Sequence, residues 1–277
     1  MIFRWVNHEE LTYDVKILLV LAEMLYASER QLCLIMGWNR SKLHNTFTKI
    51  KKRAKTKKER KEWIKNIRTD YPLDKSCYAL GREGVNFINS AFQCDIRYKN
   101  IEYREAQTAH ELGLNDICIR LIEKQLSGAN LNIEWYNTKE AKQILYRMCS
   151  IQKPDIDEKE MIKPDAYLMI NQHGFWIEYD NTTEGTRVIE EKLLDYVRYL
   201  KPLANPWIDQ YGKRQKPLHK APVIWVTPDI KRRDYLERIW KQLVYLRFRD
   251  EYVPNMFFFL AGEDTQFFLD KIKIKNH

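Results

Sequence analysis

The sequence predicts an α/β protein in two parts (α+β taken as a whole), with a small helical head followed by a mixed-sheet body that carries helices on both faces. Three observations predict it. Residues 13–50 hold three short runs whose apolar residues recur at helical spacing. Residues 163–199 read as strand, tight turn, strand, polar loop, helix. Two later runs, APVIWVT (221–227) and MFFFLAG (256–262), are continuously apolar, as strands buried on both faces are, and a helical stretch at 231–249 separates them.

In the head, YDVKILLVLAEMLYA (13–27) sets Val15, Leu18, Leu19, Ala22 and Leu25 on one helical face. Ser28 caps a second helix, with Gln31 in the capping-box position. A break at Gly37-Trp38-Asn39 leads to a third helix, about 40–50. It buries Leu43, Phe47 and Ile50 and exposes Arg40, Lys42, Asn45 and Lys49. Three helices with a tight turn before the third make a helix-turn-helix, whose last helix enters a major groove; Arg and Asn there can read base edges bidentately. WIKNIR and CYAL then bracket a polar turn as a hairpin, and VNFINSAF follows as a helix. That order is a winged helix. The plainer alternative is an ordinary helical cluster.

Charge is placed unevenly. Residues 1–104 hold 21 Lys/Arg against 12 Asp/Glu, and residues 105–277 hold 26 against 26. Nine of the thirteen residues at 49–61 are Lys or Arg, among them Lys51, Lys52, Arg53, Lys55, Lys57 and Lys58. Such a run has almost nothing to bury and repels itself unless a polyanion neutralises it, so phosphate contact is its natural role. Double-stranded DNA is the expected partner, with structured RNA and a merely solvated charged helix as rivals. Five scattered cysteines without a C-x-x-C fit reduced thiols in a cytoplasm, and the sequence has no signal-peptide pattern or apolar run long enough to span a membrane. The expected location is cytoplasmic, away from any membrane. With a polar connector after residue 91, the expected domains are 1–100 and 101–277.

The body opens with an amphipathic helix at 107–126, a strand at 131–137 and a helical piece at 138–149. Asp165 starts the next strand, and Glu178 and Asp180 close the one after it. Alternation puts Trp176, Glu178 and Asp180 on one face and Phe175, Ile177 and Tyr179 on the other. The short turn at Asn171–Gly174 implies antiparallel pairing, which brings Asp165 beside Glu178. Three carboxylates at neighbouring strand ends are a hard oxygen site of the kind that holds Mg²⁺, with Mn²⁺ as a substitute. The plainer alternatives are a strand-end cap, an ion pair and a loop cap at Asn181-Thr182.

Four passages carry a resemblance to a known family. They are Tyr78-Ala79-Leu80-Gly81-Arg82-Glu83-Gly84; Ala109-His110-Glu111-Leu112-Gly113-Leu114-Asn115-Asp116; Pro164-Asp165-Ala166; and Glu178-Tyr179-Asp180 followed by Thr182, Thr183 and Lys192-Leu193-Leu194-Asp195-Tyr196. In order and spacing they resemble the replication-relaxation family of plasmids and conjugative elements, and the body resembles the PD-(D/E)xK nuclease-like fold. The resemblance implies a winged-helix DNA-binding domain, a nuclease-like domain, and work in plasmid replication or DNA relaxation beside replication or relaxase proteins. It implies a Mg²⁺-dependent endonuclease or nickase in which Asp165, Glu178 and Asp180 are metal-ligand candidates; Glu111, on a helix expected beside the site, is a further candidate, with a merely solvated residue as the alternative. The nuclease pattern wants a Lys where this chain has Asp180, and Lys192 on the following helix is the candidate amine. That departure favours the alternative, a non-catalytic replication accessory factor or transcriptional regulator on a degenerate nuclease fold. A homodimer is compatible with the sequence.

Overall fold

The computed structural model describes residues 6, 8–53, 63–93, 105–209, 211–218, 220–248 and 253–273. Lys55, Lys57 and Lys58 lie outside them. The chain is mixed α/β and divides into two compact units, Met1–Trp135 and Tyr136–His277.

In the first unit, α1 (Tyr13–Met24) buries Ile17, Leu18, Leu19, Val20 and Leu21. Strand β1 (Ala27–Ser28) is two residues long and pairs antiparallel with β3 (Ser76–Leu80), which pairs in turn with β2 (Ile64–Arg68); the sheet order is β1-β3-β2. Between β1 and β2 lie α2 (Glu29–Met36) and α3 (Arg40–Lys52). The capping box forms as its residues require: the Gln31 N–H donates to Ser28 Oγ at 3.2 Å, and the Ser28 N–H donates to Gln31 Oε1 at 3.1 Å. Gly37, at φ +62°, closes α2 in the left-handed conformation, and Asn39 caps α3 through the Lys42 N–H at 2.9 Å. Helix α4 (Arg82–Phe92) follows the hairpin. Gly84 admits no side chain, because a Cβ there would meet the Trp63 carbonyl oxygen at 2.5 Å.

Helix α5 (Glu105–Leu126) belongs to this first unit, where the sequence had placed it in a second domain beginning at residue 101. Two polar residues tie it there. Asn115 Nδ2 donates to the carbonyls of Met24 (3.3 Å) and Tyr26 (2.7 Å), which flank Leu25 at φ +59°. Asp116, 2% exposed, accepts from Arg30 Nη2 on both oxygens (2.6 and 2.8 Å), from Gln31 Nε2 (2.7 Å) and from the Tyr71 hydroxyl (2.6 Å). Divided at the packing boundary, the first unit holds 23 Lys/Arg against 17 Asp/Glu and the second 24 against 21. The excess still favours the first unit, less steeply than a cut at residue 104 suggests.

The second unit is built on a sheet of order β10-β9-β6-β5-β4. Its strands are β4 (Ile133–Asn137, across the division between units), β5 (Ala166–Ile170), β6 (His173–Tyr179), β9 (Val223–Thr227) and β10 (Met256–Leu260). β5 and β6 are antiparallel, whereas β6, β9 and β10 run parallel. The β5–β6 turn is two residues, Asn171 and Gln172, at φ +47° and +69°; both angles positive match the right-handed strand twist. Helices α6 (Thr138–Gln152), α7 (Thr186–Leu203) and α8 (Ile230–Arg247) cover one face, where Tyr167, Trp176, Trp225, Leu193, Tyr196, Leu236 and Trp240 form the core. The other face packs Phe175 against Phe268 (ring centroids 4.9 Å) of a last helix, α9 (Glu263–Lys273), which the sequence reading did not anticipate. Two further strands of two residues each, β7 (Trp207–Ile208) and β8 (Arg214–Gln215), form a small hairpin between α7 and β9.

Candidate functional site

The pairing of Ala166 with Ile177 sets Asp165 opposite Glu178, as the antiparallel turn predicted. Asp165 Oδ2 accepts the Tyr179 N–H at 2.9 Å. Glu178 points into the helical face and is fully buried, in register with Trp225 on β9. Two side chains of α7, one helical turn apart, reach it: Lys192 Nζ lies 2.5 Å from Oε2, and the Tyr196 hydroxyl donates to Oε1. Lys192 also lies 3.8 Å from Glu184 and 5.5 Å from the Trp225 ring centroid. The helix therefore supplies an amine to the strand-end carboxylate, from the position the sequence nominated.

Burial dominates the titration here. It lifts Glu178 from the ordinary carboxylate range to about 8, against the pull of Lys192, and the nearby Asp165 charge pushes the same way. Burial works against the Lys192 charge too, but Glu178, Asp165 and Glu184 outweigh it and hold the amine above its usual value. Tyr196 is raised by burial and by Glu178, so it serves as a neutral donor.

Asp180 does not join this group. It shares the face of Glu178 but turns to α8: Oδ2 accepts from Arg232 Nε at 2.9 Å and Nη2 at 2.8 Å, while Oδ1 accepts the Thr182 N–H at 2.7 Å. Its carboxylate caps a loop whose Thr182 stands at φ +63° and balances a guanidinium. Glu111 lies on α5 of the first unit, where it adds to the burial that raises the Tyr26 hydroxyl to about 12. Among the described residues no three His, Cys, Asp or Glu side chains gather as metal ligands. The residues present do not fit a Mg²⁺ centre as they stand: Asp180 is paired with Arg232, Glu178 Oε1 takes the Tyr196 hydroxyl, and Oε2, which makes no hydrogen bond, faces the Lys192 amine. Sequence reasoning missed Arg232, which lies 52 residues from Asp180 with no local signal linking them.

The second candidate surface is α3. Arg40 Nε is held by Glu29 at 2.9 Å, and His44 Nε2 meets the other oxygen of Glu29 at 2.9 Å. Lys42 Nζ sits over the rings of Tyr13 (4.1 Å) and Trp38 (4.7 Å). Arg53 is ion-paired to Asp14 and stands over Trp63 and Phe87. All three, nominated for DNA contact, have partners within the unit, although the Arg40 side chain stays 83% exposed. Asn45, Lys49 and Lys52 remain on one exposed stripe at helical spacing, with Lys51 exposed beside them. Burial pushes Cys77 and Cys118 up to about 12 and Cys149 to about 11, which keeps these thiols inert. Among the described residues no helix is long and apolar enough to cross a membrane.

No curated protein and no solved structure matches the chain. The family model for replication-relaxation matches residues 41–213, more than half of the 277. That span takes in α3, the β2–β3 hairpin, the Asn115–Asp116 pair on α5 and the Asp165, Glu178 and Lys192 group. The chain belongs to the replication-relaxation family.

Proposed function

We propose that this chain is a non-catalytic, duplex-DNA-binding factor of plasmid or mobile-element replication or relaxation. The observation that carries the reading is the α3 stripe. Asn45, Lys49, Lys51 and Lys52 stay exposed, and so does Arg40, whose side chain is 83% exposed beside Glu29, while Lys42 packs over two rings and Arg53 pairs with Asp14. Helix, short strand, two helices with a tight turn, then a hairpin is the order of a winged helix, whose third helix docks in a major groove. The lysines contribute phosphate contacts, and Asn45 is the side chain suited to a base edge. In the second unit, Glu178, Lys192 and Tyr196 join β6 to α7, and Asp180 with Arg232 joins the same strand end to α8.

One observation favours a second reading, a nuclease. Lys192 places its amine beside Glu178 and within the field of Asp165, where the nuclease pattern wants one. For that reading Lys192 and Tyr196 would have to release Glu178 when DNA arrives. Supercoiled plasmid separates the two. The purified protein is incubated with it in Mg²⁺, in Mn²⁺ and in chelator, beside an Asp165→Ala/Glu178→Ala variant. Binding without strand breakage in every condition, equal in the variant, is expected. Metal-dependent nicking that the variant lacks would establish the nuclease instead, and failure to bind any DNA would end both readings.

A further inference from the structure

The β7–β8 hairpin of the second unit carries chemistry that the duplex-binding reading does not use. Its tip is organised by one side chain. Asp209 Oδ1 accepts the N–H groups of Tyr211 and Lys213, each at 2.9 Å, and Oδ2 accepts from Gln215 Nε2 at 2.7 Å. The Asp209 N–H donates to the Lys213 carbonyl, and Gly212 turns the chain at φ +76°. The backbone hydrogen bond from Lys213 leads the contacts that hold the Asp209 carboxyl below its usual range. A tip fixed this way presents Tyr211, 78% exposed, and Ile208, 62% exposed. Four exposed cations lie on the hairpin or within five residues of its end: Lys213, Arg214, Lys216 and Lys220. A hydrogen-bonded loop that holds an aromatic ring in water, on a segment with four exposed cations, suits a ligand that stacks on the ring. Every base offers a π-face, and a strand of phosphates matches the cations.

We infer that this hairpin binds an unpaired DNA strand, with Tyr211 stacking on a base and Lys213, Arg214, Lys216 and Lys220 on the flanking phosphates. A base inside a duplex has both faces covered, so the ring requires single-stranded DNA, which replication and relaxation both expose. The inference rests on the reading of DNA as the partner.

The test uses the full chain and fluorescently labelled DNA: a plain duplex, and the same duplex with a single-stranded tail. Tyr211→Ala is expected to weaken tailed-DNA binding about five- to 150-fold, the range of one lost base stack, and to leave plain-duplex binding unchanged. Tyr211→Phe, which keeps the ring, should restore it. Neutralising the four cations to Gln should flatten the log-affinity against log-salt line for the tail by about 3. Equal binding of tailed DNA by wild type and Tyr211→Ala, with duplex binding intact, overturns the hairpin's role and leaves the α3 reading standing. Failure of the wild-type protein to bind the plain duplex would instead strike the α3 reading. Unlabelled single-stranded RNA that displaces the tail more effectively than DNA of the same sequence would overturn the choice of DNA.

Discussion

Asp116 of the first unit and Glu178 of the second are both buried, and the two carboxylates are satisfied differently. Asp116 in the first unit is 2% exposed and receives four hydrogen bonds from three side chains, including both oxygens onto Arg30. Glu178 in the second unit is fully buried and meets one amine and one hydroxyl, with a second carboxylate close enough to repel it. A buried charge tolerates its surroundings in proportion to the donors that replace its water. Asp116 is therefore a lock: it clamps α5 to α2 and to Tyr71 of the β2–β3 connection. Glu178 is held in tension between Lys192, which favours its charge, and burial, which opposes it. A family motif need not mark chemistry, since the Asn115–Asp116 passage closes a fold while the Glu178–Lys192 passage gathers titratable groups.

The largest expected effect breaks the lock. Asp116→Ala leaves Arg30 and Tyr71 without their shared acceptor and should destabilise the first unit by about 3–5 kcal/mol, the usual cost of breaking a buried pair. Denaturant unfolding followed by circular dichroism checks it. A loss below about 1 kcal/mol would mean that Arg30 finds enough in Asp74, 3.2 Å away, and that Asp116 is no lock.

A smaller effect sharpens the contrast through pH. Glu178 stands at about 8 in the folded protein and near 4.5 otherwise, so the folded state holds the extra proton between those values. Stability contributed by this group is complete below about 4.5 and is lost as pH rises through about 8. Glu178→Gln removes the titration. The variant should gain on wild type between pH 5 and pH 8, on the order of 1 kcal/mol or more, measured as the difference in unfolding free energy. A difference that stays flat across that window would show that Lys192 satisfies Glu178 as fully as Arg30 satisfies Asp116.

The sequence made the local features legible and hid those that depend on distant partners. The Ser28–Gln31 capping box, the Asn171 turn and the antiparallel placement of Asp165 beside Glu178 follow from short-range chemistry, and all are present. Lys192 could be nominated because the strand lacked an amine at position 180, but only the packing of α7 brings it to Glu178. Asp180 looked like a third ligand because alternation gives a face and no partner; Arg232 took it from another helix. Likewise Arg40, Lys42 and Arg53 look like free cations in the sequence, and Glu29, two aromatic rings and Asp14 claim them in the fold. The packing division falls after α5 rather than before it, because an amphipathic stripe on α5 does not say which body it covers. Asn115 and Asp116 decide that, through partners as far as 91 residues away in the sequence. Helix α9 was missed because its Phe267–Phe268 pair and Ile272 follow a strand closely and make a short, uneven pattern.

The α3 stripe differs from Asp116 and Glu178: its lysines are exposed, so replacing them should alter binding and leave folding alone. The central claim is tested most directly by duplex affinity against salt, for wild type and for a Lys49→Ala/Lys51→Ala/Lys52→Ala variant, with Glu178→Gln as the second-unit control. The account predicts a log–log slope shallower by about 3 in the triple variant, three phosphate contacts at about 0.9 each, and an unchanged slope in the control. A triple variant that binds duplex with the affinity and slope of wild type would contradict it.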